Sequence, residues 1–224
     1  MPYPIPSSFR LALANLLASR GSSTPKDGAV TPSLSPFLMK RGTIMADAFD
    51  AMIIKSVADA GAMGILSDRD IMESLMTGYI GISDFSERGL TPNGYDLRIA
   101  EISVRGDPEI KREGTVTIPP RTMFYVSTIE RVRMASDICA QLWLRTTWIR
   151  KGVIGAFGKI DAGFEGTLTL GAYNATDDPV EIPIGERFCQ MVMETLNSET
   201  IKDYSQRSGN YQGQTGVTLD PLKK

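Results

Sequence analysis

Histidine is absent from all 224 residues. That absence excludes Ser-His-Asp and Cys-His nucleophile schemes, and with them every His-ligated metal site. Cysteine is almost as scarce: Cys139 and Cys189 lie far apart in apolar, strand-like surroundings. Two isolated thiols are too few for a zinc cage and read as small buried hydrophobes rather than as a disulfide. Such usage fits a reducing compartment, so a cytoplasmic location is expected, and it leaves oxygen ligands for any metal. No run of about 18 apolar residues occurs, so no membrane-spanning helix or membrane partner is expected. A charge excess is missing too, with 24 basic against 26 acidic residues. The chain therefore does not read as a nucleic-acid binder, although a local basic pocket stays open.

What is present is enough apolar content, 42%, to bury a core. Residues 1–62 differ in texture from the rest: an amphipathic patch "FRLALANLLASRG", a Ser/Pro/Gly-rich middle, then "MADAFDAMIIKSVADAG", which could form a helix. The middle lacks the apolar periodicity needed to pack, so disorder is expected there. Arg10, Asn15 and Arg20 interrupt the apolar patch, which argues against a secretory signal. Either these residues are an N-terminal extension or translation starts at Met45 or Met63. The functional domain is expected over 63–224, with a tail from about residue 200.

In "LSDRDIMESLMTG", Ser67 is placed as N-cap, Asp70 as its capping-box partner and Gly78 as terminator. Leu66 and Ile71 form the expected hydrophobic staple. From about Thr115 the chain becomes short β-type runs: "TVTIPP", "MFYVSTIERVRM", "ICAQLWLRT", "GVIGAFGKI", "GTLTLGAYN" and "RFCQMVMETL". Gly, Pro and Asp breaks separate them without helical periods between, so a mainly β sandwich or barrel with one N-terminal helix is expected.

Four stretches carry possible chemistry, each with a plain structural reading beside it. "LRTTWIRKG" places Arg145, Thr146, Thr147 and Arg150 where they suit phosphate oxygens, or where they simply decorate a solvated strand end. In "GYDLRI", Asp96 and Arg98 share a strand face, as a structural ion pair or as part of a site. Gln190 follows the Gly185 turn and serves either a ligand or a cross-strand bond. The Gly/Gln/Ser-rich end "DYSQRSGNYQGQTGVTL" is a flexible terminus or a flap over a ligand.

The order of "NGYDLR", "LRTTWIRKG", "GKIDAGFEG", "GERFCQ" and "NYQGQTG", preceded by "LSDRDI", resembles the dCTP deaminase/dUTPase superfamily over residues 64–220. The resemblance implies a distorted jelly-roll-like β-barrel that assembles as a homotrimer, with active sites between subunits under the C-terminal tail. It assigns Arg145, Thr146, Thr147 and Arg150 to the triphosphate, the two threonines replacing a more usual serine pair. Gln190 would lie at a phosphate, and Asp96 would support the site or the waters around a metal. Phe164 would lie under the deoxyribose, the backbone of residues 153–158 would face the base, and Tyr204 and Gln214 would close over the nucleotide. Asn210 stands where a deaminase tail carries lysine. Mg2+ is expected as the cofactor, held mainly by the triphosphate rather than by the protein.

The superfamily runs two reactions, and the resemblance assigns each its own acid. Hydrolysis of dUTP uses the aspartate of the "ID" turn, Asp161 here, to activate water. Metal-free deamination of dCTP uses a glutamate that aligns, without gaps, with Gly171. Alternation agrees, since Thr167, Thr169 and position 171 share one strand face. The zinc route is closed for want of its Cys/His signature. The expected activity is dUTP hydrolysis to dUMP and diphosphate, supplying dUMP for thymidylate synthesis. A dCTP deaminase with a relocated acid and a non-catalytic nucleotide-binding regulator are the alternatives.

Overall fold

The computed structural model describes residues 64–155 and 157–222. The expectations for residues 1–62, including the helix and the start sites, lie outside the described residues. The described chain opens on helix α1, Asp68–Met76, whose ends follow the sequence rules. Asp70 N–H donates to Ser67 Oγ at 3.3 Å, and Ser67 N–H donates to Asp70 Oδ2 at 2.9 Å, closing the capping box. Gly78 takes φ +70° beyond the C-cap Thr77, a conformation that costs glycine nothing. Leu66 and Ile71 are both buried, as a staple requires.

Fourteen strands follow: β1 Gly81–Ile82, β2 Leu90–Thr91, β3 Gly94–Val104, β4 Ile110–Lys111, β5 Thr115–Ile118, β6 Met123–Thr128 and β7 Val132–Arg133. Then come β8 Ile138–Leu144, β9 Val153–Gly155, β10 Lys159–Ile160, β11 Glu165–Gly166, β12 Thr169–Asn174, β13 Val180–Pro183 and β14 Arg187–Thr195. Every pairing is antiparallel. The main sheet runs β10-β8-β14-β3-β6-β12-β9, flanked by a β1-β7-β11 sheet and a β13-β5 ribbon. The mainly β expectation is met. Among the described residues no helix is long and apolar enough to cross a membrane.

Alternation along β3 and β6 sends Leu97, Ile99, Phe124 and Val126 into one core, and Phe188 and Met191 of β14 join it beside the register shift at Arg187–Cys189. Phe188 is its aromatic centre, with Phe124, Trp148 and Phe157 each 6.1 Å away by ring centroid. Cys139 and Cys189 are free and buried, as expected. Burial pushes the Cys189 thiol pKa up, with Asp96 and Glu130 adding to the effect, so it stays neutral and packs as a hydrophobe.

Three local expectations need correction. "LRTTWIRKG" does begin at the end of β8, but it turns at once into a short helix, α2, Thr146–Ile149. The buried Trp148 ring draws the turn inward, and its indole N–H donates to Arg187 O at 2.9 Å. "GTLTLGAYN" is two strands, because the chain leaves the β7 sheet at Gly166 and joins β6 at Thr169. Asp96 and Arg98 do not pair. Arg98 gives its backbone N–H and its Nε to the fully buried Glu130, at 2.8 and 2.7 Å.

Candidate active site

The "GKIDAGFEG" turn builds one wall of a cleft. Phe164 N–H donates to Asp161 O at 3.1 Å, closing a four-residue turn in which Gly163 has φ +80°. Asp203 packs so closely that a Cβ on Gly163 would lie 2.5 Å from the Asp203 Cβ, so the glycine serves both the turn and the contact. Asp161 stands exposed at the lip, and its carboxylate makes no hydrogen bond or ion pair among the described residues.

The cleft has a volume of about 350 Å³, and among the described residues Asp161 is the one carboxylate that lines it. Tyr125, Phe164, Leu168 and Leu170 supply apolar surface, while Tyr204, Tyr211, Gln214, Thr218 and Leu219 come from the tail. Phe164 is buried and meets Tyr204 edge-on, with centroids 5.5 Å apart at 72°. Gly171 also lines the cleft. Burial along β12 alternates as the sequence suggests: Thr169, Gly171 and Tyr173 are half-buried, whereas Leu170, Ala172 and Asn174 are buried. A Cβ at Gly171 would approach only the end of Met123, at 3.1 Å, and the Tyr125 ring, at 3.7 Å. Position 171 thus faces the cleft with no side chain. Glu165 does not line the cleft, and pairs with Arg131 at 3.1 Å.

Of the residues singled out by sequence, the chain brings Asp161, Phe164, Tyr204 and Gln214 together at this cleft. Gln214 is buried, and its amide donates to Thr167 O at 2.7 Å. Tyr204 Oη accepts the Tyr211 N–H at 3.0 Å. Part of the polar capacity of both is therefore spent within the protein. Of the backbone run 153–158, Phe157 and Gly158 line the cleft; residue 156 lies outside the described residues.

Arg145, Thr146, Thr147, Arg150, Gln190 and Asp96 do not line the cleft; they lie in and around the β8–α2 corner. Asp96 is buried and takes Arg145 Nε at 2.8 Å and Arg187 Nη1 at 3.3 Å on the same oxygen. Burial pushes its pKa up, and the two guanidiniums pull it back down. Gln190 donates to Thr91 Oγ1 at 2.8 Å. Thr146, Thr147 and Arg150 are exposed. Around them Trp143, Ile149 and Ile154 are 58%, 53% and 58% exposed, a high figure for such large apolar side chains.

Sequence reasoning missed Tyr125, Lys159 and Arg187. The alternation of "MFYVST" signals an outward Tyr125, and Lys159 sits two residues before the acid on the same face. Nothing local marks Arg187. Among the described residues no group of three or more Asp, Glu, Cys or His could hold a metal ion.

A dCTP deaminase-like family profile matches residues 100–196. A dCTP deaminase of Pyrococcus horikoshii is 41% identical over 145 residues, 64% of this chain and 91% of the relative. A probable deoxyuridine 5'-triphosphate nucleotidohydrolase of Sulfolobus islandicus rod-shaped virus 1 is 35% identical over 157 residues, 69% of this chain and 97% of the relative. A dUMP-forming dCTP deaminase of Sulfurihydrogenibium sp. is 32% identical over 178 residues, 70% and 97% of the two chains. The solved 2'-deoxycytidine 5'-triphosphate deaminase of Agrobacterium tumefaciens aligns with a TM-score of 0.53 at 19% identity, over 59% of this chain and 48% of the other, a likeness of fold alone.

Proposed function

This chain belongs to the dCTP deaminase/dUTPase superfamily, and from that membership we propose that it hydrolyses dUTP to dUMP and diphosphate. The observation that carries the reading is the acid inventory of the cleft: among the described residues Asp161 alone, with a bare glycine at position 171. Hydrolysis needs one base. Asp161 takes a proton from water, the water oxygen bonds to the α-phosphorus, and the bond from that phosphorus to the bridging oxygen breaks, so that diphosphate leaves. Deamination needs a proton carrier that serves both the attacking water and the departing ammonia. Position 171 would aim such a group into the cleft, and glycine has none to offer.

The phosphate donors are Arg145, Thr146, Thr147, Arg150 and Gln190, with Asp96 holding the Arg145 guanidinium in place. In one chain these lie apart from the cleft, so a neighbouring subunit of a homotrimer supplies them. Exposed Trp143, Ile149 and Ile154 beside them favour that association. Phe164 lies under the sugar, and Tyr204 and Gln214 cover the nucleotide. Magnesium enters with the substrate, as counter-ion of the triphosphate.

Relatives named dCTP deaminase, one of them 41% identical, favour deamination as the second reading. A paired product assay on the full chain separates the two. Diphosphate from dUTP with no ammonia from dCTP is expected; ammonia from dCTP overturns the argument from Gly171. Tight dUTP binding with neither product would favour a regulatory role.

A further inference from the structure

The alternating threonines of "GTLTLG" turn out to face the chain's own C-terminal tail. Thr167 N–H and Oγ1 both donate to Gln214 O, at 3.0 and 3.3 Å, and Gln214 returns a bond to Thr167 O. One step back, Gly213 N–H donates to Glu165 O and Gln212 Nε2 to Gly163 O, at 2.7 and 3.2 Å. Alternate residues from 163 to 169 thus carry the tail along their half-buried face. At the end of this rail Thr169 Oγ1 donates to Gly216 O at 3.2 Å and accepts the Thr218 N–H at 2.9 Å.

Strand register brings an acid from β3 to the same place. Glu101 pairs with Ser127, and Ser127 pairs with Thr169, so the three form one row across β3, β6 and β12. Glu101 is buried, and its two oxygens have separate tasks. Oε1 accepts the Val217 N–H at 2.6 Å, while Oε2 takes Arg112 Nε at 2.9 Å. Val217 and Thr218, consecutive in sequence, thus give their N–H groups to opposite sides of the row. Gly216 has φ +64°, and a Cβ there would lie 2.6 Å from Glu101 Oε1. Both the positive φ and the closeness of the Glu101 carboxylate favour glycine at position 216.

We propose that Glu101, oriented by Arg112, and Thr169 are tail-positioning residues: together they clamp residues 216–218 and so seat Thr218 and Leu219 in the cleft beside Gly171. As to catalysis, the proposal rests on reading the cleft as the nucleotide site. The clamp itself does not, since it is complete within one chain. A charge-assisted bond outweighs a neutral one, so Glu101 carries the larger share.

Amide hydrogen exchange on the full chain without nucleotide tests the clamp directly. Glu101→Ala and Thr169→Val should each lower protection of Val217 and Thr218 about tenfold or more, with β14 amides unchanged. Thr169→Ser should restore it, and Glu101→Gln, which keeps an acceptor but loses Arg112, should fall between. Gly216→Ala attacks the clamp from the tail side and covers the case in which a sheet variant fails to fold. Unchanged protection in folded Glu101→Ala and Gly216→Ala overturns the proposal. In turnover, KM for dUTP should rise by more than kcat falls, because closure is a binding step; equal loss in kcat with KM unchanged also counts against it. A wild-type protein that turns over neither dUTP nor dCTP refutes the functional reading while leaving the exchange result to judge the clamp.

Discussion

Asp96 of β3 and Arg145, just past the end of β8, meet carboxylate to guanidinium at 2.8 Å, reaching across the intervening β14. The same oxygen holds Arg187, so a single buried acid orients two cations that adjoin the exposed Thr146 and Thr147. Replacing it by Asn leaves both guanidiniums without a counter-charge. Asp96→Asn is expected to cost about 1–3 kcal/mol in urea unfolding and to weaken dUTP binding more than it slows turnover.

The same group has a signed pH dependence. Its pKa is raised above the ordinary 3.8 by burial, with Arg145 and Arg187 opposing. A carboxyl raised in the folded state keeps its proton where the unfolded chain has lost it, so its contribution to stability falls as pH rises from 3.8 through its folded value. The urea midpoint of wild type minus that of Asp96→Asn should therefore decrease across that window and level off above it.

Asp161→Asn removes the proposed base and leaves the turn intact, because the turn bond uses the Asp161 carbonyl. Turnover of dUTP should drop by about a hundred- to ten-thousand-fold with dUTP affinity little changed, measured by diphosphate release and calorimetry. Unchanged turnover would remove Asp161 from the mechanism.

Gly171→Glu places a carboxylate on the cleft face of β12. The nearest obstacle is the mobile end of Met123, so the variant should fold at a cost of about 1 kcal/mol. It should bind dUTP more weakly, because a second negative charge enters a cleft built around one acid. Affinity equal to wild type would mean that position 171 does not face the nucleotide.

Gly163→Ala should detach the start of the tail. The residue sits at φ +80°, and its Cβ would displace Asp203. Asp203 in turn caps helix α3, Tyr204–Arg207, by accepting the Gln206 N–H at 3.1 Å. Faster proteolysis of residues 200–222 with little change in the urea midpoint is expected.

Much of this was written locally. The capping box at Ser67 and Asp70, the turn at Asp161–Phe164 and the cleft-facing position of Gly171 each depend on residues within a few positions of one another. Periodicity and turn chemistry act over that range, so these features could be read directly. The Asp96–Arg98 pairing expected from the same alternation failed because adjacency on a strand face is no guarantee of partnership. Glu130, 32 residues away, is fully buried and claims Arg98, and a register shift between Arg187 and Cys189 leaves Arg187 beside Asp96.

By itself, then, the sequence determined the acid at the turn, the missing side chain at position 171 and the mainly β architecture. Tertiary structure alone decided that alternate residues from 163 to 169 form a rail for the tail, and that Glu101 ends that rail. It also decided that the Arg145–Arg150 group stands apart from Asp161 within one chain. The reason is physical: buried charges and backbone N–H groups take whichever partner the strand register delivers, and register is set by the packing of the whole core.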